Sequence, residues 1–212
     1  AGKYGIDDSG SMRVCFRFAS DQSRPQFENP EAVGYTTIEA SNNAVLQYRY
    51  DRKGNVRPWG STLYIKVVNG FLSEGDTITI RFGDTRKGAP GLRLQTFCED
   101  SFEFHVLVDP IATCVYQPIW KQPIIRIVPG SPEKWIAVVP TKRKAGEKFQ
   151  LKLKAVDRWG NPTSKFDTTV HLSANGSVKG LPETVTFRPG DFVQTVHNLS
   201  VEKPGDVLIR VE

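Results

Sequence analysis

Apolar residues in this chain recur at every second position and nowhere at helical spacing. Val14, Phe16 and Phe18 share one face of residues 13–18, and Ile78, Ile80 and Phe82 share one face of residues 77–82. A two-residue period sends successive side chains to opposite sides of a strand, one side packed and the other solvated. Further strands are expected at residues 35–39, 44–50, 63–68, 92–97 and 102–108. Turn signals separate them: Asn42-Asn43, which predicts a hairpin between its two neighbours, then Asn69-Gly70 and Ser73-Glu74-Gly75-Asp76. The pattern predicts an all-β fold of the β-sandwich kind.

Residues 110–132 break the rhythm. Pro110, Pro118, Pro123, Pro129 and Pro132 punctuate them, and proline cannot donate to a strand ladder. This stretch reads as a connector, and it predicts two tandem β-sandwich domains, residues 1–122 and 123–212. The second part predicts about seven strands, among them residues 135–139, 148–156, 167–173, 184–187, 192–199 and 207–211. That number of strands in so short a stretch is the immunoglobulin-like count.

The net charge of +5 is unevenly placed. Residues 1–122 carry 14 Lys and Arg against 14 Asp and Glu, whereas residues 123–212 carry 14 against 9. In the second part Lys148, Lys152 and Lys154 alternate with Phe149, Leu151 and Leu153. The lysines therefore belong to the solvated face of a half-buried strand, where they discourage edge pairing. No aromatic residue shares the lysines' solvated face to stack bases, so nucleic acid is not an expected partner. No apolar run approaches the roughly 18 residues of a membrane helix, so no membrane partner is expected.

Residue types that carry chemistry are scattered. His105, His171 and His197 each stand alone on a predicted strand, and no C-x-x-C or H-x-x-x-H spacing occurs. Metal ligation needs clustered donors, so no metal, cofactor or catalytic residue is predicted. Asp7-Asp8 and Glu99-Asp100 are adjacent pairs, which point to opposite faces of a strand and do not share a proton. Glycines at residues 83–91 precede no helix and so match neither a P-loop nor a dinucleotide fingerprint. Cys15, Cys98 and Cys114 are too few for a disulfide framework and are expected as small buried thiols. Together with the lack of a visible signal segment they point to the cytoplasm. The only methionine is Met12, so the chain is expected to be a piece of a longer one.

Two features could bind something. Residues 81–95 set Arg81, Arg86, Lys87 and Arg93 around a Gly/Pro loop, with Asp84 and Gln95 alongside. Arginine pairs bidentately with carboxylates and phosphates. The segment is thus a candidate docking surface for another domain or an acidic ligand. Trp59, after Arg57-Pro58, and Trp120, after Pro118-Ile119, are candidates for an aromatic platform under a carbohydrate.

Several stretches also resemble known proteins. Residues 1–11 (AGKYGIDDSGS), 48–55 (YRYDRKGN), 63–71 (LYIKVVNGF), 81–95 and 96–100 (TFCED) resemble, in that order, the N-terminal region of an uncharacterised family of large bacterial proteins. Ala145-Gly146-Glu147, a strand, and then Asp157-Arg158-Trp159-Gly160-Asn161-Pro162 resemble bacterial immunoglobulin-like modules, in which the latter segment is a structural turn. Members of the large family continue into a part similar to PHP-type metal-dependent hydrolases. None of that part's ligand motifs is present here. The resemblance therefore implies a non-catalytic front region whose partner is the missing C-terminal domain of the same chain. The alternative, drawn from the tryptophans, is a carbohydrate- or surface-binding adhesion module.

Overall fold

The computed structural model describes residues 1–212, and the chain is all-β with antiparallel pairing in every sheet. Its contacts separate two compact units, Ala1–Ile127 and Val128–Glu212. The division falls later than the proline count suggests, for a simple reason. Strand β9 (Ile124–Ile127) pairs with β6 (Glu99–Glu103), which ties residues just after Pro123 into the first unit.

The first unit is built on a five-stranded sheet in the order β3-β4-β1-β7-β8. These are Val45–Asp51, Ser61–Asn69, Ser11–Phe16, His105–Asp109 and Gln117–Pro118. Alternation in β1, β4 and β7 sends Val14, Phe16, Leu63, Ile65 and Val106 to one face, where all are buried. A separate ribbon of β2 (Thr36–Ala40) and β5 (Ile78–Phe82) contributes Ile38, Ile78, Ile80 and Phe82 to the same core. Phe16 meets Phe82 and Phe104 edge-on, with ring centroids 5.5 and 5.6 Å apart.

Four expectations change in this unit. Asn42-Asn43 does not turn a hairpin, because β2 pairs with β5 while β3 pairs with β4. Asn42 instead clamps a corner between sheets: its Nδ2 donates to the Phe71 carbonyl at 2.9 Å and to Asp76 Oδ2 at 2.8 Å. Residues 92–97 form no strand. The single strand expected at 102–108 is two, β6 and β7, separated at Phe104 and paired in different sheets. Phe18, expected inward, lies past the end of β1 and is half exposed.

The second unit has six strands, one in each of the six stretches named above; the seventh strand of residues 123–212, β9, pairs in the first unit. One sheet is β10-β11-β14 (Lys134–Val138, Phe149–Val156, Gln194–Leu199) and the other β13-β12-β15 (Thr184–Phe187, Thr168–Ala174, Ile209–Val211). Leu151, Leu153 and Leu199 from the first meet Val170, Leu172 and Phe187 from the second in a single core. Lys152 and Lys154 alternate with these leucines and point away from the core, as the period-two pattern requires. The Asp157–Pro162 stretch is a turn. The buried Asp157 carboxylate accepts from the amides of Gly130, Trp159 and Asn161 and from Asn161 Nδ2, at 2.9 to 3.1 Å.

Phe187 and Leu151 are fully shielded from solvent, so truncating Phe187 to alanine leaves a cavity in the second core. Phe187→Ala is expected to destabilise by about 3–5 kcal/mol. Urea unfolding followed by circular dichroism checks this, and a change of under about 1 kcal/mol would contradict the packing described.

Candidate functional site

The outer face of the β2–β5 ribbon gathers the arginine-rich segment. In the ribbon's register Thr37 lies opposite Arg81 and Glu39 opposite Thr79, so all four project away from the core that Ile38 and Ile80 enter. After β5 the chain turns at Gly83 (φ +66°) into a short 3-10 turn, Thr85–Lys87. A Cβ on Gly83 would sit 2.1 Å from the Leu92 backbone nitrogen, so the loop can close on itself only through glycine.

Asp84 is the centre of this arrangement, with a side chain only 3% exposed. Arg86 approaches it bidentately, Nε donating to Oδ1 and Oδ2 at 2.9 and 3.0 Å and Nη2 to Oδ2 at 2.6 Å. The Thr37 hydroxyl donates to Oδ2 at 2.6 Å, and the Arg86 amide to Oδ1 at 3.1 Å. Glu39 bridges the two arginines, accepting from Arg86 at 3.1 Å and Arg81 at 2.6 Å. Hydrogen bonds from Arg86 and Thr37 hold the Asp84 carboxyl far below the ordinary carboxylate range. Those from Arg86 and Arg81 lower that of Glu39. Two cations and two anions thus close on one another, leaving Lys87 as the cation of the turn with no carboxylate partner.

The other candidates lie elsewhere. Arg93 binds Asp21, through both its carboxylate (3.3 Å) and its backbone carbonyl. The buried Gln95 donates to the Phe97 carbonyl at 3.2 Å and to Glu99 at 2.9 Å, and Glu99 pairs with Arg17. Trp59 is half-buried and stacks on His105 with centroids 5.0 Å apart and planes 18° from parallel, while Arg17 lies over it. Trp120 is fully exposed, at 102% of its reference area, and stacks on no other ring. The tryptophans are therefore differently placed: one ring is covered, the other is free in solvent.

Spacing along the sequence could not reveal a row that strand register assembles on the outer face of the five-stranded sheet. Arg49, Tyr64 and Arg13 lie directly opposite one another on β3, β4 and β1. Each guanidinium sits 5.0 Å from the Tyr64 ring, and Arg13 lies 3.8 Å from the Tyr116 ring. The Tyr64 and Tyr116 hydroxyls bond each other, and Tyr116 also bonds Ser11 at 2.6 Å. Burial works to raise the Tyr64 phenol, but the bonds from Tyr116 and Arg13 outweigh it and leave it below its usual value. Arg13 Nε is shielded from solvent and has no hydrogen-bond partner. A second unanticipated feature is an open cavity of about 820 Å³ lined by Phe18, Arg49, Asp51, Arg52, Lys53 and Arg57, among others.

No group of three or more His, Cys, Asp or Glu side chains is placed to hold a metal ion. Of the cysteines, only Cys15 is buried; Cys98 and Cys114 are exposed, contrary to the expectation of three buried thiols. Both exposed cysteines lie in irregular segments outside the strand cores. No helix is long and apolar enough to cross a membrane. No protein-family model matches the sequence, no curated protein matches it, and no solved structure is significantly similar to it.

The Asp84 network makes a pH-dependent contribution with a defined sign. Its folded carboxyl titrates below the unfolded value of about 3.9, so the stabilisation is complete above that pH and falls as pH drops through it toward the folded value. The stability difference between the protein and Asp84→Asn is therefore expected to be largest at neutral pH and to shrink below about pH 4. Urea titrations at neutral and acid pH check this, and a difference that grows on acidification would refute the network's role.

Proposed function

We propose that the chain is a non-catalytic β-sandwich region of a larger bacterial protein, and that it supports or orients a metal-dependent hydrolase part of that protein. The observation that carries this reading is the closure of the Arg81–Asp84–Arg86–Glu39 network on itself. Charged side chains so engaged give a turn a fixed shape rather than a free acid, base or nucleophile. The resemblance of the stretches at residues 1–11, 48–55, 63–71 and 81–100 to the large bacterial family points the same way. We also read the second unit as an immunoglobulin-like module, on its two facing three-stranded sheets and the Asp157 turn.

The purified chain is expected to give no hydrolysis of a chromogenic phosphomonoester when magnesium, manganese or zinc is added. Removing it from the larger protein is expected to lower the unfolding temperature or the activity of the remaining part. Turnover that stays with the chain through purification and disappears in a point variant such as His105→Ala would overturn the reading.

The fully exposed ring of Trp120 favours a second reading, a carbohydrate- or surface-binding adhesion module. An aromatic face open to solvent is a ready stacking surface for a sugar ring. On this reading, oligosaccharides quench the tryptophan fluorescence of the protein and not that of Trp120→Ala. Absence of binding across a glycan array would count against it.

A further inference from the structure

Strand β14 carries an irregularity that re-aims two side chains. Phe149 pairs with Leu199, but Leu151 pairs with Val196, so His197 and Asn198 together oppose Gln150. Regular alternation would turn Asn198 toward the core. The extra residue, with Asn198 at φ +60°, leaves Val196 and Leu199 packed inward and both His197 and Asn198 exposed on the outer side. Bulges of this type redirect side chains and are over-represented beside functional sites.

Both redirected residues line an open groove of about 590 Å³ on the outer face of the β10-β11-β14 sheet. Its remaining walls supply two chemistries. Arg143, Lys148 and Lys152 bring positive charge, and no carboxylate lines the groove. Glu147, just outside it, reaches Arg143 at 3.6 Å, and Lys148 and Lys152 have no carboxylate partner. Val138 and Val139 are 54% and 38% exposed and offer an aliphatic strip beside those cations. In register, Val138 lies directly opposite Lys152, so apolar and cationic positions are neighbours across the sheet. Beyond Arg143 an adjoining cavity adds Lys142, Lys144 and Lys203.

We propose that this groove binds an extended peptide segment in which acidic and aliphatic residues alternate. Carboxylates of such a segment reach Arg143, Lys148 and Lys152, while its aliphatic side chains cover Val138 and Val139. Gln150, His197 and Asn198 are placed to hydrogen-bond its backbone. Two alternatives fit less well. The groove holds no Trp or Tyr and its Phe149 packs against the core, so the one ring it exposes is the small imidazole of His197, a poorer platform for a sugar or a base than an indole or phenol face. The proposal is independent of the hydrolase-support reading, which rests on the first unit.

The test uses the whole chain and a fluorescent peptide of about eight residues alternating Glu and Val, roughly 27 Å when extended. Fluorescence anisotropy is expected to show saturable binding that weakens as salt approaches about 0.5 M, where screening shortens the reach of the cations. Lys148→Glu with Lys152→Glu is expected to weaken binding about tenfold or more. The milder Lys148→Gln with Lys152→Gln should weaken it less, and circular dichroism should show both variants folded. Arg52→Glu with Lys53→Glu, in the cationic cavity of the first unit, should leave binding unchanged. An alternating Lys and Val peptide should not bind. The proposal is overturned if the acidic peptide does not bind or if the Lys148/Lys152 variants bind it unchanged. It is also overturned if the Arg52/Lys53 variant abolishes binding, or if a uronic-acid oligosaccharide or single-stranded oligonucleotide binds more tightly than the peptide.

Discussion

Strand β1 is the constraint on which the first unit depends. It is hydrogen-bonded along both edges, to β4 on one side and β7 on the other, so its register fixes theirs. A slip of one residue would carry Val14 and Phe16 out of the core and Arg13 into it. That alternation therefore organises both faces at once. Inward it seats Phe16 among Phe82, Phe104 and Tyr50. Outward it sets Arg13 between two tyrosine rings, where cation–π contact and the Tyr64 hydroxyl partly replace the water the guanidinium loses.

A second device recurs in both units: a buried aspartate closes a turn by accepting several donors. Asp84 does so for the 3-10 turn, Asp157 for the turn that leaves β11, and Asp109 for the turn after β7, where it accepts from the Thr113 and Cys114 amides at 2.9 and 2.7 Å. Burial alone would push the Asp109 and Asp157 carboxyls up; the converging donors prevail and hold both below their usual values. Carboxylates fixed in this way are ionised at neutral pH and already saturated with donors. Their burial reflects turn construction, which is why a low-exposure aspartate in this chain is poor evidence for acid–base chemistry.

The sequence is most informative where one physical rule acts alone. Alternation in residues 149–155 is governed by burial on one side of a single strand, and the strand, its buried leucines and its outward lysines all follow. It is least informative where distant partners decide. Asn42-Asn43 has the chemistry of a hairpin turn, but β5 and β4 compete for its two neighbouring strands and win. Residues 92–97 alternate suitably, yet Arg93 and Gln95 are drawn to Asp21 and Glu99, and no ladder forms. Likewise Arg81, Asp84 and Arg86 are near in sequence, but Glu39, which completes their network, comes from another strand. The Arg49–Tyr64–Arg13 row exists only once three strands are in register, and the β14 bulge leaves no mark on composition.

The pairing of β9 with β6 has a practical consequence for dividing the protein. Phe102, almost wholly buried, faces Ile125 across that ladder, and Glu103 faces Ile124. A boundary drawn at residue 122, where the prolines suggest it, would strip the first fragment of its covering strand. The loss would uncover Phe102 and an unpaired strand edge, the combination that promotes self-association. It would also leave the second fragment with an apolar Ile124-Ile125 leader that has lost its ladder. Cleavage after Ile127 leaves that ladder intact in one fragment, so the choice of cut site decides whether the β6 edge and Phe102 stay covered.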